Sequence, residues 1–126
     1  MNNTLKQFKK QQYLNIETFR KNGQGVKTPV WFAQDGDTLH IWTGVTSGKV
    51  KRIRNNKSVR IAPSTPSGEA LGEWVDARAI VFDSEIKVNE TETLFKKKYG
   101  VIFRVLSSFN KWRGGKYASV EVTSGE

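Results

Sequence analysis

Hydrophobic and polar positions change period several times along the chain, and each change marks an element. Leu5 and Phe8 stand three apart among Lys and Gln up to about Gln12, the spacing of a short amphipathic helix. From Tyr13 the pattern turns to alternation. Tyr13, Leu14, Ile16, Thr18 and Phe19 predict a first strand that ends at the turn KNGQG. VKTPVWFA predicts a second strand, the DGD of Asp35 to Asp37 a hairpin, and TLHIWT a third strand, giving a three-stranded meander. Pro29 interrupts the donor row of the second strand. Proline has no N–H for a ladder, so this strand belongs at an edge, at a bulge, or where its outer side faces something else, such as a ligand.

After Thr43 the period lengthens. Within SGKVKRIRNN, Val50 and Ile53 form one apolar stripe among cations, which predicts a short helix with Ser47 as its N-cap. SVRIAPS predicts a fourth strand, TPSGEALGE a loop and EWVDARAIVFD a long fifth strand. In NETETLFKKKYG, Asn89 followed three residues later by Glu92 makes a capping box, and Gly100 stands in a terminating position. Partly helical character continues to Trp112, and KYASVEVTS predicts the last strand. The expectation is a mainly β protein with short α-helices, a single domain over residues 1–126. Six strands and two or three helices without repeat or linker fit a closed or nearly closed barrel.

A chain of 126 residues buries about two-thirds of the surface it exposes when unfolded, enough for a real core without staples. It has no cysteine, which excludes disulfides, thiol catalysis and thiolate metal sites. With His40 the only imidazole, no metal site is expected. No apolar run approaches the roughly 20 residues of a membrane span, and the start lacks a signal peptide's apolar segment; the reading is cytoplasmic, with no membrane. The net charge of +9 attracts phosphates, nucleic acid, anionic lipid or acidic small molecules. That charge is concentrated. Between Asp37 and Glu69 there is no carboxylate, while Lys49, Lys51, Arg52, Arg54, Lys57 and Arg60 all fall there.

A phosphate needs clustered donors, a fixed cation and close approach to the backbone. The Ser47-Gly48-Lys49 turn opening a helix supplies all three. It lacks the glycine spacing of a P-loop, and the plain alternative is a solvated cationic helix. Other features take ordinary roles. His40 alternates with Leu39 and Ile41 and is expected to be exposed; Lys96, Lys97 and Lys98 make a solvated helix face; Asp76 and Arg78 share a strand face as an ion pair. Trp31 and Trp42 serve equally well as core or interface aromatics. No nucleophile with a base and no paired acids are present, so catalytic residues stay unassigned. That fits redox chemistry carried by a cofactor.

TFRKNGQGVKTPVWF, TSGKVKRIRNN, VRIAPS and GEWVDARA, followed by KKKYG, resemble the split-barrel flavin proteins related to pyridoxamine 5'-phosphate oxidase. The likeness is strongest to the branch of deazaflavin (coenzyme F-420)-dependent oxidoreductases. It runs in order from about Tyr13 to Gly100 and is looser beyond. It implies an FMN-binding type of six-stranded split β-barrel and a homodimer with the cofactor in a groove at the subunit interface. It implies that the strand of Thr28, Pro29, Val30 and Trp31 runs beside the tricyclic ring. Thr43, Ser47 and Lys49 match the phosphate-binding pattern T-x-x-x-S-x-K position for position. The oxidase members prefer arginine where this chain has Gly48, so a second cation is needed, and Arg52, one helical turn after Lys49, is the candidate. Trp74 lies on the strand whose counterpart sends a side chain toward the ring. The tryptophan and arginine segment that closes over pyridoxal phosphate in the oxidases is absent, which disfavours that activity.

The leading reading is an oxidoreductase using FMN or deazaflavin F-420 to transfer a hydride to or from a small organic substrate. Lys51, Arg54 and Lys57 would suit the acidic tail of the deazaflavin. Two alternatives are a small nucleic-acid-binding barrel and a non-catalytic flavin carrier or sensor. Clustering of the cations on one turn and helix, rather than over an aromatic strand face, disfavours nucleic acid.

Overall fold

A computed structural model describes residues 3–104 and 116–125. After a 3-10 helix, Asn3–Phe8, come β1 (Tyr13–Phe19), β2 (Gly25–Trp31), β3 (Ala33–Asp35), β4 (Thr38–Gly44), α1 (Gly48–Asn55), β5 (Ser58–Ser64), β6 (Val75–Phe82), α2 (Glu85–Tyr99) and β7 (Tyr117–Ser124). The strands form one antiparallel sheet in the order β2-β1-β5-β6-β7-β4-β3. Its two edge strands, β2 and β3, are separated in sequence by Phe32 alone. A sheet whose opposite edges are one residue apart in the chain must curl until those edges meet, and the result is a mainly β half-barrel.

Seven strands stand where six were expected, and the meander is broken, both because of Phe32. Its side chain is fully buried in the core. Its backbone leaves the ladder and is satisfied from α2: its N–H donates to the Tyr99 hydroxyl oxygen (3.1 Å), and its carbonyl accepts from that hydroxyl (2.8 Å) and from Lys98 Nζ (2.7 Å). VKTPVWFA is thereby cut into β2, which pairs with β1, and β3, which pairs with β4. The β3–β4 hairpin itself follows the DGD signal. Asp35 pairs with Thr38 across Gly36 and Asp37, and Gly36 has φ +59°, the left-handed first position that glycine fills in a type II′ turn. Pro29 lies in an edge strand, as its missing donor requires.

Alternation fills the barrel interior. Leu14 and Ile16 of β1, Leu39 and Ile41 of β4, Ile61 of β5 and Val120 and Val122 of β7 form one buried cluster. Leu5 and Phe8 join it; in a 3-10 helix residues three apart stand on the same edge, so both turn inward. Val50 and Ile53 seat α1, also as expected.

The outer face of β4 is covered as well, since Trp42 and Trp31 pack with Ala33, Phe95, Phe103 and Tyr99 in a second cluster built on α2. His40, expected to be exposed, is therefore buried there at 7 % exposure, with Nδ1 3.4 Å from the Thr91 hydroxyl. Helix α2 begins at Ser84, whose hydroxyl accepts from Lys87 N–H, and Asn89 lies inside it; the earlier Ser cap with Glu85 in the first turn prevails over the Asn89–Glu92 box. Gly100 ends the helix at φ +64° as predicted. Residues 101–104 are helical; the rest of the segment to Trp112 lies outside the described residues. Asp76 does not pair with Arg78. Its carboxylate is 3.7 Å from Arg60, its register partner on β5, because directly opposed cross-strand side chains stand closer than residues two apart on one strand.

Candidate functional site

The N-terminus of α1 gathers most of the cationic site expected from sequence. Ser47 keeps an extended backbone (φ −64°, ψ 155°) and caps the helix by accepting from Val50 N–H at 3.4 Å. Thr43, at the end of β4, reaches the same hydroxyl at 3.5 Å. Two side-chain hydroxyls and the free amides of the first helical turn thus converge beside Lys49.

Lys49 is half-buried, and burial first, then the nearby Arg52 charge, lowers its pKa. Arg52 Nε donates to Thr18 Oγ1 at 2.6 Å, which fixes the guanidinium against the end of β1. Burial, then the charge of Arg20, lowers the Arg52 pKa too. Among the described residues neither Lys49 nor Arg52 forms an ion pair with a carboxylate. Like charges held together without a counter-ion gain stability when an anion arrives.

Gly48 explains how Arg52 reaches this place. A Cβ there would stand 2.8 Å from Arg52 Nη1, so the guanidinium lies over the first turn of α1 in the space that a side chain at position 48 would claim. The absence of an arginine at 48 and the presence of one at 52 are thus two parts of one arrangement.

The remaining candidates lie apart from this cradle. Thr28, Pro29, Val30 and Trp31 run along the edge strand β2, with Val30 packed toward the core. Trp31 stacks on Tyr99 (4.3 Å between centroids, 10° between planes), so one of its faces is taken within the chain. Pro29 packs under the β5–β6 loop, where a Cβ on Gly68 would be 3.7 Å from its ring, and that loop is held by Asn15 Nδ2 donating to Gly68 O at 2.7 Å. Trp74 precedes β6 and carries Lys27 Nζ at 4.9 Å and the Arg60 guanidinium at 5.7 Å from its ring centroid. Its indole is a platform for cations of β2 and β5.

Thr18 and Arg20 belong to the cradle and were missed. Thr18 shares the inward parity of Leu14 and Ile16, so a buried hydroxyl needing a partner was readable from alternation. Arg20 carried no local signal, for its charge acts on Arg52 only once β1 and α1 are packed. Lys98 also departs from expectation. Lys96 and Lys97 are solvated, but Lys98 is half-buried, bonded to Phe32 O and 3.7 Å from the Phe32 ring centroid.

No family model and no curated protein matches the sequence. Solved structures do match its fold. The heme storage protein HutZ of Vibrio cholerae aligns at 16% identity and TM-score 0.70 over 96% of this chain and 87% of that one. A Listeria innocua protein named for pyridoxamine 5'-phosphate oxidase aligns at 16% identity and TM-score 0.65, over 97% and 90%. An F420 reductase aligns at 14% identity and TM-score 0.63, over 100% and 96%. The fold is the split barrel of pyridoxamine 5'-phosphate oxidase-like proteins, as the resemblance in the sequence implied. No described helix is long and apolar enough to cross a membrane, and no described group of His, Asp and Glu could hold a metal ion.

Proposed function

We propose that this chain is a flavin- or deazaflavin-dependent oxidoreductase acting on a small organic substrate. The cofactor phosphate is held by Thr43, Ser47, the first amides of α1, Lys49 and Arg52. The observation that carries this reading is the carboxylate-free pair at the N-terminus of α1, a half-buried Lys49 and an Arg52 fixed by Thr18, on the helix whose cap Ser47 meets the Thr43 hydroxyl. A bound flavin or deazaflavin supplies the hydride chemistry itself.

The chain's own residues bind and orient. Arg52, held by Thr18, gives a preset cation. Ser47 both ends the helix and presents its hydroxyl. β2 offers Thr28 through Trp31 as an edge along which a flat ring can lie. In this reading two copies of the chain form a homodimer and complete the groove between them. Heme, bound by the HutZ neighbour, finds less support: the single imidazole, His40, is buried between β4 and α2 and engaged with Thr91.

Separate titrations with FMN and deazaflavin F-420, read by fluorescence, test the proposal. Saturable binding of either at micromolar or lower Kd, weakened by Lys49→Ala in a protein of unchanged melting temperature, is the expected result. Binding of neither, with salt-dependent binding of oligonucleotides instead, would overturn it in favour of a nucleic-acid-binding barrel.

A further inference from the structure

We infer that the chain carries a second ligand site, for a small amphipathic organic anion, between the amino-terminal 3-10 helix, the β3–β4 hairpin and α2. These elements flank an open pocket of about 810 Å3, within the range of small-molecule sites. The half-buried Leu94, over a floor formed by the core residues Leu5 and Phe8, supplies apolar lining, and the lysine stems extend it. Five lysines, Lys6, Lys9, Lys10, Lys97 and Lys98, line it as well, against Asp35 and Asp37 at the hairpin. A compact hydrated ion would leave the apolar lining wet. A molecule with an apolar body and one carboxylate satisfies both parts. The cavity shares no residue with the Thr43 to Arg52 cradle and lies at the other end of β4.

Two of the lysines show that cations are placed here deliberately by the fold. Lys10 is the one described residue other than glycine with positive φ, at 65°. It follows the 3-10 helix, where Lys9 N–H bonds Lys6 O and Gln11 N–H bonds Phe8 O. A left-handed terminator is ordinarily glycine, because any Cβ is disfavoured there. A lysine at this position carries a backbone penalty and brings an ammonium to the rim. Lys98 is fixed from the other side, its Nζ bonded to Phe32 O at 2.7 Å. Burial lowers its pKa to about 8, the condition of a cation that gains from a nearby anion.

Octanoate titrated into the 15N-labelled full chain tests the site. Saturable amide shifts confined to residues 5–12, 33–37 and 94–98 are expected, with octan-1-ol binding about tenfold more weakly for lack of charge. Lys10→Gly separates a ligand role from a structural one. It should raise the melting temperature, since glycine accepts the left-handed backbone, yet weaken octanoate about fivefold. Scattered or unsaturable shifts, octanol binding as well as octanoate, or a stabilised Lys10→Gly protein with unchanged octanoate affinity would each overturn the proposal.

Discussion

The two cationic regions of the molecule are built on different plans. At α1 the charges are dense and tied: Arg52 is bonded to Thr18, Lys49 lies near enough to feel its charge, and Ser47 caps the helix that carries both. At the 3-10 helix the lysines are spread around an apolar lining, and among the charges only Lys98 is firmly held. The first plan suits a compact, multiply charged group such as a phosphate; the second suits a single charge on a greasy body. Net charge alone, which both regions share, would not have told them apart. What distinguishes them is how much of each cation's surroundings can be left without water.

The sharpest way to break this contrast is Arg52→Met, which keeps the side-chain stem and removes the charge. It should weaken FMN or F-420 binding by about 2 kcal/mol, some thirtyfold, and leave octanoate binding alone. Loss of both affinities in titrations of the variant would mean that the two regions are one site. Next in size is Tyr99→Phe. Removing the hydroxyl leaves Phe32 N–H without its partner beneath the lysine-lined cavity, and urea unfolding should show a loss of about 1.5 kcal/mol. An unchanged midpoint would remove Tyr99 as the clip that divides β2 from β3.

Ser47→Ala deletes the N-cap of α1 and should cost about 1 kcal/mol of stability in the same assay, together with a measurable fall in cofactor affinity. A stability loss with full cofactor affinity would reduce Ser47 to a cap only. The last effect concerns pH. The folded-state pKa of Lys98, about 8, lies below the ordinary 10.5, so between these values the unfolded chain binds the extra proton. The contribution of Lys98 therefore disfavours folding at neutral pH, and that penalty is relieved as pH rises from about 8 toward 10.5. Comparing Lys98→Met with the parent by urea unfolding at several pH values isolates this contribution, and parallel pH profiles for the two proteins would refute it.

Local signals carried much of the fold. The alternation from Tyr13 to Phe19 coincides with β1, and Ser47 with Val50 and Ile53 describes α1 completely, because cap and stripe lie within seven residues. The break at Phe32 was hidden, since PVWFA is apolar throughout and the groups that pull Phe32 out of the ladder lie 66 and 67 residues away on α2. His40 was misplaced for the same reason: β4 alternates as a one-faced strand would, but α2 returns to cover its other face. In the candidate cradle, Thr43, Ser47 and Lys49 were legible as one short motif. Thr18 lies on β1 and Arg20 just beyond its end, and both act on the cradle only through packing.

An antiparallel sheet with free edges exposes unpaired backbone groups that can recruit strands from neighbouring molecules. This sheet discourages such recruitment at both edges. β2 contains Pro29, which has no N–H to extend a ladder, and β3 is three residues long and ends in Asp35. The same residue pattern that marks where the barrel is split therefore also leaves neither edge a long, fully donating template for strand addition.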